Sequence, residues 1–436
     1  RIGLRHMYTR SSRYANFRVS VPGPALAQDP PAREPLSARA ASIAPLDGPV
    51  QVGKPVTFRG SSNPGDAHWD LGDGTTAAGA LATHTYQEPG IYRVVMGSKT
   101  GDTFNEKASA IVRVHRPETL HLPQVLLDTD AHNEVDDQHY IGYALFSNLD
   151  ILAINSVHNG PWRKEQGGTE SEAINYQEIR NLLDLSRRSG LPDHRSEREI
   201  PQAYHGAADK LEVPASGKWF DTQPIQTEAS EAILAAARGA SPDNPVWVLP
   251  VGPCTNIASA MLQAREEGLD LTQRIKVCWL GGGPERANGR SFNGQNDPWS
   301  VYVTAQSGIE FWILLENPTG ASIRFNGPDD YGLYPGNPLG DYLEADMREY
   351  MENRNINSKA LYDLGCVSMV IGNHLEKSWL TSVEPSRVLG PDQQYRWKRV
   401  DGPSNVRIIR NIDEEAMKTD FFHTLNGKPA ELKAKR

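Results

Sequence analysis

QVLLDTDAHNEVDDQHYIGYALF, residues 124–146, decides how this chain folds. It opens on an apolar run, Gln124 to Leu127, that reads as a buried strand. It closes on Gln138 to Phe146, where apolar residues recur at helical spacing. A strand, a loop and a helix in this order form the first half of a βαβ unit, whose loop lies at the carboxyl edge of a sheet, where ligands gather. The loop places Asp128, Asp130, Glu134, Asp136 and Asp137 within ten residues. Carboxylates at that density repel one another unless a cation sits among them, so a site for a hard divalent ion is expected. An EF-hand loop is excluded: counted from Asp128, its sixth position is Asn133 rather than Gly and its twelfth is His139 rather than Glu. The plainer alternative is a solvated helix N-terminus, where the helix dipole alone favours Asp136 and Asp137.

Outward from this segment, residues 121–436 alternate strand-like and helix-like stretches. Val125–Leu127, Ile151–Val157, Val246–Val251, Ile275–Leu280 and Phe311–Leu315 read as strands; Glu172–Leu185, Glu228–Arg238 and Ile257–Glu267 read as helices. Such alternation predicts an α/β domain, a mostly parallel, Rossmann-like sheet wrapped by helices. Residues 116–120 read as a linker. Before it, residues 49–115 carry short period-two runs broken by Gly and Pro, the pattern of a small all-β sandwich. Residues 1–48, basic and then rich in Pro and Ala, are expected to be largely irregular, either the remnant of an export signal ending near Ala25-Leu26-Ala27 or a plain arm.

Composition narrows the function. A net charge of −9 without a basic stripe argues against nucleic acid as a partner, and the absence of a long apolar run argues against a membrane span. A small neutral substrate fits better. Cys254, Cys278 and Cys366 lack CxxC spacing and read as buried thiols.

Two resemblances sharpen this reading. WDLGDG (69–74) followed by HTYQEPGIYRV (84–94) resembles a PKD domain, an immunoglobulin-like module. In it Asp70 and Asp73 read as turn-capping carboxylates rather than metal ligands. The resemblance implies an exported, secreted or periplasmic bacterial protein, with carbohydrate or cell-surface contact through this module. In the larger domain, Asp128-Thr129-Asp130 with Asp136-Asp137, LPVGPCTNIA (249–258), Ser291-Phe292-Asn293 with Asp297-Pro298, and Tyr362-Asp363 together resemble the inosine–uridine-preferring nucleoside hydrolases.

That resemblance implies a Ca²⁺-dependent glycosidase that hydrolyses the N-glycosidic bond of a nucleoside or related ribosyl substrate, and an oligomeric assembly. Asp130, Asp137, Asp363 and the carbonyl of Val251 would hold the ion, with Asp130 also the base that activates its water. Asp136, Asn159, Asn293, Glu285 and Ser291 are assigned to the substrate, Tyr362 to the leaving base, and Asp128 and Asn256 to the support of the loop. Asn159 has a loop-turning alternative, Glu285 a solvent-facing one, and Thr255 reads as a helix cap. Trp162, Trp299 and His205 are further candidates for a pocket wall. Two departures stand out: Ser291 replaces a Glu expected to grip the sugar's primary hydroxyl, and Tyr362 replaces a His. Tyr, with an ordinary pKa near 10, is a weak acid at neutral pH but a serviceable hydrogen-bonder. A carbohydrate-binding protein without turnover, on the same scaffold, is the competing expectation.

Overall fold

The computed structural model describes residues 43–44, 46, 50–60, 67–88, 90–100, 103–115, 122–162, 164, 167–190, 200–284, 291–372, 380–389 and 394–428. The N-terminal arm before residue 43, the linker 116–120 and Glu285 lie outside them.

The acidic segment folds as its pattern requires. Strand Gln124–Thr129 is buried along its whole length and pairs in parallel with Asp150–Ser156 on one side and Val246–Pro250 on the other. Successive side chains leave opposite faces of a strand. Accordingly Val125 and Leu127 join one apolar cluster while Leu126 joins another. The first cluster takes in helices Asp136–Phe146, Ser171–Arg188, Pro338–Arg354, Leu364–Ile371 and Glu414–Leu425. The second takes in Glu228–Gly239, Thr255–Glu266 and Pro298–Gln306. Both faces being covered, the central strands are continuously apolar.

The sheet runs in the order Gln202–Tyr204, Asp150–Ser156, Gln124–Thr129, Val246–Pro250, Ile275–Gly281, Glu310–Leu315, Val406–Ile409, Leu380–Leu389, Gln394–Arg399. Its first seven strands are parallel; Leu380–Leu389 pairs antiparallel with Val406–Ile409 and, on its other side, with Gln394–Arg399. From Gln124–Thr129 the chain first builds outward on one side, then crosses to add Val246–Pro250 on the other. This reversal opens a crevice at the carboxyl ends of those two strands. The acidic loop sits there.

The residues before the linker form the expected β-sandwich. A five-stranded sheet (Val50–Gln51, Thr103–His115, Gly90–Thr100, Ala67–Asp70, Thr76–Ala78) and a two-stranded one (Val56–Arg59 with Leu81–His84) enclose Phe58, Trp69, Leu71, Tyr86, Val94 and Met96. Asp70 and Asp73 accept the main-chain N–H groups of Gly72 and Thr75, as turn-capping acids do. Strand Thr103–His115 lies against helix Glu228–Gly239. All three cysteines are buried and free. No helix among the described residues is long and apolar enough to cross a membrane.

Candidate active site

Six carboxylates, from Asp130, Glu134, Asp136, Asp137, Glu316 and Asp363, line one cavity of about 220 Å³ together with Asn133, Val251, Leu280, Phe292, Asn293, Asn317 and Tyr362. Six chain segments, around residues 130–137, 251, 280, 292–293, 316–317 and 362–363, contribute to it. The loop after Gln124–Thr129 brings Asp130, and the first turn of helix Asp136–Phe146 brings Asp136 and Asp137, where the helix dipole favours anions. Val251 follows strand Val246–Pro250, and Asp363 immediately precedes helix Leu364–Ile371.

Carboxylate oxygens of Asp136, Asp137 and Asp363 lie within 4.8 Å of one another, all three buried. Burial, and then the neighbouring acids, push Asp137 and Asp363 well above the ordinary carboxylate range. Such oxygen-only donors suit a hard divalent cation, which would relieve both costs. The Thr129 hydroxyl fixes one oxygen of Asp137 by donating to it at 2.5 Å. Asp130, 1% exposed, lines the same cavity outside that tight trio. A Cβ at Gly252 would come within 3.1 Å of Asp130 Oδ1 and 2.7 Å of Val157, so the glycine of LPVGP is required by close approach.

Behind the cavity the loop is braced. Asn256 Nδ2 donates to Asp128 Oδ2 at 2.9 Å and to the Ser156 carbonyl at 2.8 Å, while its Oδ1 accepts from Ala207 N. Burial raises Asp128 to about 7, partly offset by that amide. Both residues therefore support rather than touch the cavity. Asn293 does line it, and its amide N–H groups donate to the carbonyls of Val251 (2.5 Å) and Leu280 (3.1 Å).

Other expectations shift. Ser291 caps helix Phe292–Asn296 through Gly294 N and does not line the cavity. Glu316, at the end of strand Glu310–Leu315, supplies a carboxylate instead, with its two oxygens accepting the N–H groups of Phe292 and Asn293 at 3.1 and 3.3 Å. Asn159 is buried outside the cavity, with Oδ1 lacking a hydrogen-bond partner among the described residues. Thr255 is not a cap; its hydroxyl donates to Asp297, which caps helix Pro298–Gln306 through Ser300. Trp299 is a core residue and His205 stacks on Tyr176, while Trp162 is exposed; none lines the cavity.

Lys359 was not anticipated. Its ammonium, 5% exposed, bonds Asp136 Oδ1 at 3.0 Å and Glu134 Oε2 at 2.8 Å. Nothing in SKALYD marks this lysine as internal before the strand Ser358–Ala360 is placed.

His158 is buried too. Its Nδ1 accepts the Gly160 N–H, so Nε2 carries the proton and donates to Thr255 Oγ1 at 3.1 Å. Burial holds its pKa down at about 3, against 6.5 for a free histidine. The unfolded chain therefore binds more protons between those values, and stability falls as pH drops below 6.5. The contribution is at most about 1.4 kcal/mol per pH unit. Urea midpoints of His158→Gln should fall less than those of the parent from pH 7 to 4; parallel profiles would show that His158 titrates freely.

The model of the inosine-uridine preferring nucleoside hydrolase family matches residues 125–419, and that of the PKD domain residues 40–114. Among solved structures, an inosine-guanosine nucleoside hydrolase is 20% identical with a TM-score of 0.53, covering 70% of this chain and 99% of its own. A purine-preferring ribonucleoside hydrolase from Gardnerella vaginalis is 19% identical with a TM-score of 0.50, covering 70% and 98%. These two share the fold. No curated protein matches. The family model spans well over half of the sequence and begins on the strand that carries the acidic loop: the chain belongs to the inosine-uridine preferring nucleoside hydrolases, metal-dependent glycosidases acting on N-glycosyl compounds.

Proposed function

We propose that this chain hydrolyses the N-glycosidic bond of a nucleoside or related ribosyl compound, with Ca²⁺ held by Asp130, Asp137, Asp363 and the Val251 carbonyl. The observation that carries the reading is the convergence of buried carboxylates in one cavity. When bound, the ion supplies a fixed positive charge that grips a vicinal diol and acidifies the attacking water. Asp130 accepts that water's proton. Asp136 and Asn293 Oδ1 accept sugar hydroxyls, which fixes the anomeric carbon for attack. Tyr362 and Phe292 offer the departing base an aromatic wall. Burial raises the Tyr362 phenol above its ordinary pKa, so it remains a neutral donor and is a weak acid for the leaving group.

Release of free base from a panel of nucleosides tests this reading. Turnover should vanish on chelation and return with Ca²⁺. Sugar binding without release of base from any ribosyl compound would favour the binding-protein alternative.

Glu316 takes the primary hydroxyl in this reading, the task Ser291 lacks the charge for. Glu316→Gln should raise KM about tenfold for nucleosides, the worth of one hydrogen bond to a charged group, and leave 5′-deoxynucleosides unaffected. An equal effect on both would remove Glu316 from that role.

A further inference from the structure

Lys359 has no donor left for a ligand. Its three N–H groups go to Asp136 Oδ1 (3.0 Å), Glu134 Oε2 (2.8 Å) and the Ala360 carbonyl (2.7 Å). The Tyr362 main-chain N–H takes the other Asp136 oxygen at 3.2 Å, and the Tyr350 hydroxyl takes Glu134 Oε1 at 3.0 Å. Both tyrosine rings also face the ammonium, at 4.9 and 5.6 Å. Asp136 thus belongs to the tight acidic trio, yet a permanent buried cation already engages it.

We propose that Lys359 is a positioning residue: it reserves Asp136 for a substrate hydroxyl, withholds it from the metal, and so sets how tightly the cavity binds its ion. The proposal rests on the reading of the cavity as a Ca²⁺ centre. One fixed positive charge beside the trio repels a divalent ion, and through a poorly solvated interior that repulsion is strong. Without it, Asp136 becomes a further oxygen ligand. The ion would then bind more tightly while the substrate loses its acceptor. A lysine that only braced the fold would weaken both together when removed.

The test measures Ca²⁺ affinity by titration calorimetry, alongside steady-state nucleoside hydrolysis, in the parent, Lys359→Met, Lys359→Arg, and the double variant Lys359→Met with Glu134→Gln. Lys359→Met should bind Ca²⁺ about tenfold more tightly and lose about a hundredfold in kcat/KM, the cost of about 1 Å of misplacement. Lys359→Arg should bind Ca²⁺ within about threefold of the parent, because the charge stays. The double variant preserves the net charge of the group, since one positive and one negative charge leave together. It guards against a fold too strained by an unpaired buried Glu134. Its Ca²⁺ affinity should fall between that of the parent and that of Lys359→Met, because Asp136 is freed while the net charge is unchanged, and kcat/KM should remain depressed, because Asp136 has still lost its anchor. Parallel weakening of ion binding and turnover in Lys359→Met, or no change in either, overturns the assignment; if that variant does not fold, unaltered kcat/KM in the double variant does the same. A parent that takes up no Ca²⁺ defeats the metal reading itself, and this proposal with it.

Discussion

Asp130→Asn should lower kcat for nucleoside hydrolysis about a thousandfold, within the range of about 10²–10⁴ that a positioned general base supplies. The side chain is 1% exposed, at the mouth of the loop behind Gln124–Thr129 and facing Gly252 at a distance that admits no Cβ. It therefore has little room to swing aside. Asn has the same shape and keeps an oxygen towards the ion, but accepts no proton. The loss should appear in kcat at saturating Ca²⁺ and substrate, with KM changed far less, the pattern of an interaction made in the transition state. Asp128→Asn is the matched control. Asp128 is fully buried behind the cavity and braced by Asn256, so its replacement should affect stability more than chemistry. A kcat for Asp130→Asn within threefold of the parent would remove Asp130 as the base and return the choice to Asp136 or Glu134.

The sequence shows where the site lies more clearly than how it is wired. An apolar run entering a dense acidic loop needs no partner to be recognised, because both the burial of the strand and the repulsion of the acids are local properties. Five of the seven parallel strands were legible for the same reason, whereas Gln202–Tyr204 and Val406–Ile409 are too short to carry a pattern. Leu380–Leu389 and Gln394–Arg399, the antiparallel margin of the sheet, were not legible, since they carry charge and proline: Pro385 sits where the register shifts. The wiring depends on long-range placement. Lys359 meets Asp136 across more than two hundred residues, and Glu316 reaches the Phe292-Asn293 turn only because two strand ends converge. Ser291 shows the opposite failure. Read as the place of a missing acid, Ser291 was assigned to the substrate, but a serine ahead of a short helix satisfies a cap, and the cap is what the fold uses. Asn159 was placed by its position after a strand, yet its side chain is buried and does not line the cavity.

The second large effect is on stability, and it should change sign with the ion. Asp136, Asp137 and Asp363 sit within 4.8 Å of one another. Lys359 contributes one compensating charge, and directly to Asp136 alone. Without a cation, burying Asp137 and Asp363 together costs free energy through desolvation and mutual repulsion, which is why both are held well above the ordinary carboxylate range. Asp363→Asn removes one of those charges at constant shape. In excess chelator the variant should melt at or above the parent, by up to a few degrees. In Ca²⁺ the order should reverse. A ligand at a hundred times its Kd stabilises the parent by about 2.7 kcal/mol, and a variant short of one anionic ligand forfeits most of that, along with measurable turnover. Thermal unfolding of both proteins, with and without Ca²⁺, therefore gives crossing lines if the acids form a metal centre. If Asp363→Asn is the less stable protein in chelator as well, the trio is a hydrogen-bonded carboxylate network that stabilises the fold by itself. The divalent ion would then be unnecessary to explain why so many acids are buried together.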